Sequence, residues 1–380
     1  MNQNLDSLLT EYCGRKFYLP DYKNSVIGIK NSILEGLNDN RKMIIFGFDS
    51  VNTIQFKRHF GGKIDLSDMK ELSSVFPTGS PTSFSSIFFG NQINQHGIFG
   101  IAFYCPKEKG IYQTSKDCIV NTMNETLRDA KFQIHGQSFL SEVDIPVFYI
   151  HVNHFWYSSN LWSKFSKSTN HISVHPRGHY KSDYNRQLDL DAVLDNTEEL
   201  LNKSKNDKLV YVSVDFDEHM HREGVETDIT QKLLSHVSNR ICDIIYSNPE
   251  YDYVFLSDHG QIDLKNNYPF DFEKIVKYCY SHRGGLGRTS YFYSNKDIAF
   301  DIIEEQVGDT GIVLKKNNPL LKKIFGFDPV IYPEIGDIIA FATEPSFPSY
   351  GWSSKAEHGA LAKEELFVPY LHLKSQKKNI

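Results

Sequence analysis

Three short apolar runs, each followed within two residues by a carboxylate, constrain the fold of this chain more than any other feature. The runs are Met43–Phe48, Leu209–Val214 and Tyr253–Leu256, and their β-branched and aromatic residues are typical of buried strands. A fourth run of this kind is Ile338–Phe341. Helical patterns lie between them, most clearly at 228–246, where leucine and isoleucine recur at three- and four-residue spacing. This alternation predicts an α/β fold with a doubly wound, mainly parallel central sheet flanked by helices.

The polar residues after these runs are predicted to meet at one edge of the sheet, where parallel strands end and ligands bind. They are Asp49 after the first run, then Asp215, Asp217, His219 and His221, then Asp258 and His259. Carboxylates crowded together repel one another unless bound cations compensate their charge. Mixed Asp and His ligation suits zinc, manganese or a similar divalent metal. Taken alone, Asp49 is also compatible with a helix N-cap.

Composition and charge narrow the possible partners. The 380 residues are 40% hydrophobic and 13% aromatic, which is enough for one large domain, 1–380. A formal charge of −6 does not indicate a nucleic-acid partner, although a local basic patch would. No apolar run is long enough to span a membrane, and the first residues lack a signal pattern. Five scattered cysteines suit reduced thiols, so the expected location is cytoplasmic. The sequence gives no indication of an oligomeric state.

The section at 104–207 differs from the rest of the chain because it is polar and dense in histidine and aromatic residues. It is expected to hold a further strand and helix together with a cap or substrate-lining insertion. Its histidines could bind a further metal or phosphate, or they could be solvated loop residues: His151, His154, His171, His175 and His179.

Five blocks in a fixed order carry the functional signal. They are GFDS at 47–50, FPTGSPTSFSSIFFGNQINQHGIFG at 76–100, DEHMHREG at 217–224, SDHGQ at 257–261 and EHGALAKEELFVPY at 357–370. In this order they resemble the type I phosphodiesterase/nucleotide pyrophosphatase family of the alkaline-phosphatase superfamily. That family has a nucleophilic Thr or Ser four residues after a Phe-Pro lead, then a small-residue helix ending in Gly, then His-Gly-Ile. Counted from Phe76, the nucleophile is Ser80 and the triplet is His96–Ile98.

The resemblance implies two divalent metal ions and supports zinc, although Asp and His ligands also bind manganese. It assigns one ion to Asp49, Asp258, His259 and the Ser80 oxygen, and the other to Asp217, His221 and His358. Asp215 and His219 have the same spacing as Asp217 and His221, so two registers compete. The family pattern also has a glycine three residues after the histidine, and Gly224 satisfies it only for His221.

The reaction that the resemblance implies is hydrolysis of a phosphodiester or pyrophosphate bond, in a nucleotide-like small molecule, through a covalent phosphoserine at Ser80. The family usually has Thr at this position, so a phosphomonoesterase or phosphonate hydrolase is an alternative. A nuclease-like component of a nucleic-acid-handling assembly is another, and the negative charge argues against it.

Besides having Ser80 in place of Thr, the chain departs from the family pattern at a residue that binds the phosphoryl oxygens. Many family members have Asn shortly after His-Gly-Ile, whereas Gly100 and Ile101 follow here. Arg283 and Arg288 are candidates to bind phosphate instead, because Arg can donate two parallel hydrogen bonds to it. A surface turn with solvated arginines is equally consistent with their sequence.

Overall fold

Two β-sheets organise the protein, which we describe from a computed structural model covering residues 5–120, 126–130, 132–152, 159–175, 186–203, 205–349 and 354–375. The strands are β1 (Leu9–Tyr12), β2 (Arg15–Tyr18), β3 (Lys42–Asp49), β4 (Lys70–Ser73), β5 (Ala102–Cys105), β6 (Gly110–Gln113), β7 (Cys118–Val120), β8 (Thr126–Asp129), β9 (Val147–Val152), β10 (Asn170–Val174), β11 (Lys208–Asp215), β12 (Asp252–Ser257), β13 (Ile262–Asp263), β14 (Asn267–Pro269), β15 (Gly284–Leu286), β16 (Thr289–Phe292), β17 (Gly311–Lys315), β18 (Ile338–Ala342), β19 (Phe347–Ser349), β20 (Ala356–Glu357) and β21 (Phe367–Leu373).

The helices are α1 (Ile29–Asp39), α2 (Thr53–Phe60), α3 (Ser80–Phe89), α4 (Ile93–His96), α5 (Asn160–Phe165), α6 (Arg186–Lys203), α7 (Asp217–Glu223), α8 (Asp228–Ser247), α9 (Glu273–Val276), α10 (Asp297–Val307), α11 (Pro319–Phe325) and α12 (Lys363–Leu366). Short 3-10 helices occupy Leu5–Leu8, Val26–Gly28, Phe139–Ser141, Gly308–Thr310 and Pro329–Ile331. No helix in the described ranges is long and apolar enough to cross a membrane.

The central sheet has the order β10-β9-β11-β3-β12-β21-β4. Pairing is parallel from β10 through to β12, while β21 pairs antiparallel with both β12 and β4. Three of the predicted runs are the adjacent strands β11, β3 and β12. Asp215 lies opposite Asp49, and Ser257 lies opposite Phe48, so the three strands end together. The prediction of a common sheet edge is therefore confirmed.

Side chains of β3 alternate between two hydrophobic cores, one on each face of the central sheet. Met43 and Ile45 point into the core formed with α1, α3 and the second sheet. Ile44, Phe46 and Phe48 point into the core formed with α2, α6 and α8. A strand that is buried on both faces has an uninterrupted apolar sequence. This arrangement confirms the predicted doubly wound α/β fold.

The second sheet has the order β17-β18-β16-β15-β5-β6-β7-β8 and is paired antiparallel. Its strand β18 is the fourth predicted run, Ile338–Phe341, which is a buried strand but lies outside the mainly parallel sheet. All residues of β18 are buried. The apolar pattern reports burial on both faces and does not distinguish one sheet from another.

The histidine-rich section is divided between the two sheets. β9 and β10 extend the central sheet, and α6 packs on one of its faces. β6, β7 and β8 form the far edge of the second sheet. The assignment of a cap to this section stays a prediction.

Candidate active site

Ser80 begins α3 beside the carboxyl end of β3. Gly79 precedes it as the N-cap, and a Cβ atom there would lie 2.4 Å from Cδ2 of Leu286, so a larger residue would have to displace that side chain. The Ser80 hydroxyl lies 3.2 Å from Oδ1 of Asp49 and 3.3 Å from Nε2 of His259. The first turn of a helix has backbone N–H groups without intrahelical acceptors, and these favour an anion at the same place.

One group of ligand candidates surrounds this hydroxyl. Nε2 of His259 lies 3.4 Å from Oδ1 of Asp49 and 3.3 Å from Oδ2 of Asp258. Asp49 ends β3, while Asp258 and His259 directly follow β12. Adjacent parallel strands therefore bring these three residues together.

A second group adjoins the first. Nε2 of His221 lies 3.3 Å from Oδ2 of Asp217, and Nε2 of His358 lies 3.4 Å from Oδ1 of the same carboxylate. Asp217 and His221 are four residues apart on α7, so both project from one face of that helix. The ligand atoms of Asp217, His221 and His358 lie within 4.8 Å of one another, and so do those of Asp49, Asp217 and His259.

Hydrogen bonds to the backbone orient all three imidazole rings. Nδ1 faces a carbonyl oxygen in each case: Ala356 at 2.8 Å from His221, Thr78 at 2.8 Å from His358, and Gly260 at 3.1 Å from His259. Because a carbonyl oxygen only accepts, this network assigns the ring proton to Nδ1. Nε2 of each ring is therefore the nitrogen that faces the carboxylates and that would bind an ion, as in histidines that bind a metal.

The electrostatics of the site also fit a bound cation. Burial and the neighbouring carboxylates raise the pKa of Asp49 and of Asp258 well above the usual range. Burial opposes ionisation of Asp217 too, but the charges of His221 and His358 outweigh it and hold the pKa of Asp217 well below the usual range. Oδ2 of Asp258 is buried and accepts no hydrogen bond from the described residues. Three carboxylates and three imidazoles with an unpaired buried oxygen are a suitable donor set for divalent metal ions.

The geometry supports the second of the two registers. Asp215 Oδ2 accepts a hydrogen bond from Arg186 at 3.0 Å, and its Oδ1 accepts one from the backbone of Asp217. His219 is buried, and burial lowers its pKa to about 4. Gly224 ends α7 with φ +92°, a conformation that L residues rarely adopt. These observations place Asp217 and His221, rather than Asp215 and His219, beside His358.

The two arginines proposed for phosphate binding are both buried. Arg288 Nη1 donates to Oε2 of Glu365 at 2.5 Å, and its Nη2 donates to the carbonyl oxygen of Glu344. Arg283 lies over the ring of Phe270, and burial lowers its pKa to about 9. Neither is the solvated turn residue of the alternative interpretation. Because both Nη atoms of Arg288 already donate to protein oxygens, the structure does not favour its predicted role as a phosphate ligand.

Two residues of the site were not singled out in the sequence, although both lie in the quoted blocks. Ser50 donates to Oδ1 of Asp217 at 2.7 Å, and Gln261 donates to the same oxygen at 2.5 Å. Both are fully buried. Ser50 directly follows Asp49 and Gln261 lies two residues after His259, and this closeness in sequence was the available signal.

Among the other histidines, His151 and His171 meet on β9 and β10. Nε2 of His151 lies 3.4 Å from Nδ1 of His171 and 3.1 Å from Oγ of Ser173. His175 is exposed. His154 and His179 lie outside the described residues.

Comparison with known families agrees with this arrangement. The sequence model of the family described as type I phosphodiesterase/nucleotide pyrophosphatase matches residues 46–360. The chain belongs to this family. It is accordingly a phosphoric ester hydrolase, and the family's metal dependence agrees with the two ligand clusters.

Solved structures show the same fold as this phosphodiesterase-family chain. Mouse ectonucleotide pyrophosphatase/phosphodiesterase 5 is similar with a TM-score of 0.58 and 13% identity, over 88% of each chain. Phosphonoacetate hydrolase from Sinorhizobium meliloti is similar with a TM-score of 0.61 and 11% identity, over 98% of this chain and 94% of that one. No curated protein matches the sequence.

Proposed function

We propose that this chain hydrolyses a phosphodiester or pyrophosphate bond in a small nucleotide-like molecule, with Ser80 as nucleophile. The observation that carries the proposal is the position of the Ser80 hydroxyl. It lies at the N-terminus of α3 and within 3.4 Å of both Asp49 and His259. A nucleophile, a helix N-terminus for an anion and two ligand candidates thus meet at one point.

Two divalent metal ions, zinc or manganese, would be held by six side chains. Asp49, Asp258 and His259 would hold one with the Ser80 oxygen, and Asp217, His221 and His358 would hold the other. When bound, such ions favour the alkoxide of a serine and neutralise charge on a transferring phosphoryl group.

The residues of the chain then perform a double displacement. Ser80 Oγ forms a bond to phosphorus while the bond from phosphorus to the leaving oxygen breaks. The backbone N–H groups at the start of α3 bind the phosphoryl oxygens. Water subsequently cleaves the bond between Ser80 and phosphorus, which restores the serine.

The proposed substrate class is supported by the family and by the structural neighbours. A solved complex of inactive mouse ectonucleotide pyrophosphatase/phosphodiesterase 5 contains AMP, which supports a nucleotide-like substrate here. A phosphonate is the second candidate, since the similarity to the hydrolase complexed with phosphonoacetate extends over 98% of this chain. A cytoplasmic location is supported by all five cysteines being free thiols.

The test is hydrolysis of bis-p-nitrophenyl phosphate, p-nitrophenyl phosphate and phosphonoacetate after chelation and return of zinc, manganese or magnesium. We expect metal-dependent hydrolysis with a preference for the diester, and loss of turnover in Ser80→Ala with metal content retained. Ser85→Ala is the matched control, because this helix hydroxyl donates to the Pro81 carbonyl oxygen. A preference for phosphonoacetate or the monoester would replace the proposed substrate class. Full activity of Ser80→Ala would overturn the covalent mechanism.

A further inference from the structure

Ser50, which directly follows Asp49, has a backbone conformation that is unusual for its residue type. Its φ is +73°, in the left-handed region where a Cβ atom meets the backbone, and its side chain is fully buried. Glycine adopts this conformation without that cost. A serine held in it at the centre of a site indicates that its side chain makes contacts that offset the strain.

Those contacts join the two groups of ligand candidates. The Ser50 hydroxyl lies 2.7 Å from Oδ1 of Asp217 in one group and 3.3 Å from Nδ1 of His259 in the other. It also accepts a hydrogen bond from Nε2 of Gln261 at 3.1 Å. The backbone N–H of Ser50 points to Oδ1 of Asp258 at 3.4 Å.

The protons of this network can be assigned from chemistry. An ionised carboxylate only accepts, so the single hydroxyl proton of Ser50 goes to Asp217. The hydroxyl oxygen can then act only as an acceptor towards His259, whose Nδ1 proton it shares with the carbonyl oxygen of Gly260. The lone pair of His259 is thereby confined to Nε2, the atom that faces Asp49 and Ser80. The Ser50 hydroxyl and the Gln261 amide both donate to Oδ1 of Asp217, and Oδ2 of this carboxylate faces Nε2 of His221.

We propose that the Ser50 hydroxyl is a positioning group that couples the two metal sites by holding the carboxylate of Asp217 and the imidazole ring of His259 in place together. This inference rests on the proposed two-metal function. It assigns Ser50 no contact with the substrate. Its effect is exerted through the geometry of two ligands that belong to different metal ions.

The experiment compares Ser50→Gly with Ser50→Ala in the full chain, using zinc alone in competition with a chromophoric chelator. Both variants lose the hydroxyl, but only glycine relieves the left-handed strain. We expect each to bind zinc about 10–100-fold more weakly than the wild type at one site or both, the range for partners that orient metal ligands. Metal-free Ser50→Gly should have a melting temperature above that of Ser50→Ala. Weakened turnover should be restored by excess zinc.

Ser168→Gly is the matched control, because Ser168 is an exposed turn residue with φ +70°. Its zinc affinity should stay within twofold of the wild type. If the wild type binds two zinc ions and Ser50→Gly binds them equally tightly, Ser50 is only a turn residue and the inference is overturned, while the proposed function stands. Failure of Ser50→Gly to fold would also overturn it, since the hydroxyl would then stabilise the fold itself. A wild type that binds fewer than two zinc ions would contradict the proposed function first.

Discussion

Oδ1 of Asp49 lies 3.2 Å from the Ser80 hydroxyl. Asp49 ends β3, the middle strand of the central sheet, and Ser80 begins α3, 31 positions later in the chain. The same carboxylate oxygen lies 3.4 Å from Nε2 of His259. The candidate nucleophile is therefore within reach of an ion that these two ligands would hold. This relationship links the fold to the proposed chemistry, because it depends on the common ending of β3 and β12.

His221 and His219 provide a matched pair that tests the register on α7. We expect His221→Ala to weaken binding of one metal ion by at least about 10-fold, because it removes a ligand. His219→Ala should retain both ions, since His219 is buried and belongs to neither ligand cluster. Metal content of the folded fraction is the measurement. The opposite outcome, with metal lost only in His219→Ala, would assign the site to Asp215.

Asp258→Asn should have opposite effects on metal binding and on the stability of the metal-free protein. The substitution replaces a buried carboxylate that is repelled by its neighbours and whose Oδ2 accepts no hydrogen bond from the described residues. We expect the metal-free variant to be more stable by about 1–3 kcal/mol, the range for an unsatisfied buried group, and its metal binding and turnover to be lost. Chemical denaturation after chelation measures the first effect. A less stable metal-free variant would mean that the carboxylate is satisfied without an ion.

Arg288→Met distinguishes a structural from a substrate-binding role for this arginine. Its removal leaves Glu365 buried without its cationic partner, and Glu365 also accepts from the backbone of Ala360 and Ala362 near His358. We expect a loss of about 3–5 kcal/mol in the free energy of unfolding, with partial recovery when Glu365→Gln is added. The KM for the diester should be unchanged. A raised KM at unchanged stability would restore the phosphate-binding prediction.

The lowered pKa of Asp252 predicts how the free energy of unfolding changes at acid pH. Burial raises its pKa, but hydrogen bonds from His372, Asn40 and the backbone of Ser375 outweigh it and lower the pKa to about 2. A depressed pKa stabilises the folded state above the unfolded value near 3.8, and this contribution is lost as the pH falls through about 2. We expect Asp252→Asn to cost about 2 kcal/mol at pH 7 and only a small fraction of that at pH 2. An equal cost at both pH values would exclude an effect of the carboxylate charge.

Much of the central sheet, and the meeting of the acidic and histidine side chains at its edge, could be predicted from the sequence because both depend on local patterns. Strands buried on both faces are continuous apolar runs, and ligands follow them directly. The second sheet was not predicted, since its short antiparallel strands come from distant parts of the chain. Arg288 and Glu365 are separated by 77 positions, so their ion pair had no local signal. The role of Ser50 likewise depends on its backbone conformation.

The most direct test of the central claim is rapid quenching of the zinc-loaded enzyme during hydrolysis of bis-p-nitrophenyl phosphate, followed by mass spectrometry of its peptides. We predict a substrate-derived phosphoryl adduct on Ser80 that accumulates in the first turnover and is absent from metal-free enzyme and from Ser80→Ala. Turnover at the wild-type rate by Ser80→Ala, or an adduct on another residue, would contradict the assignment of Ser80 as the nucleophile.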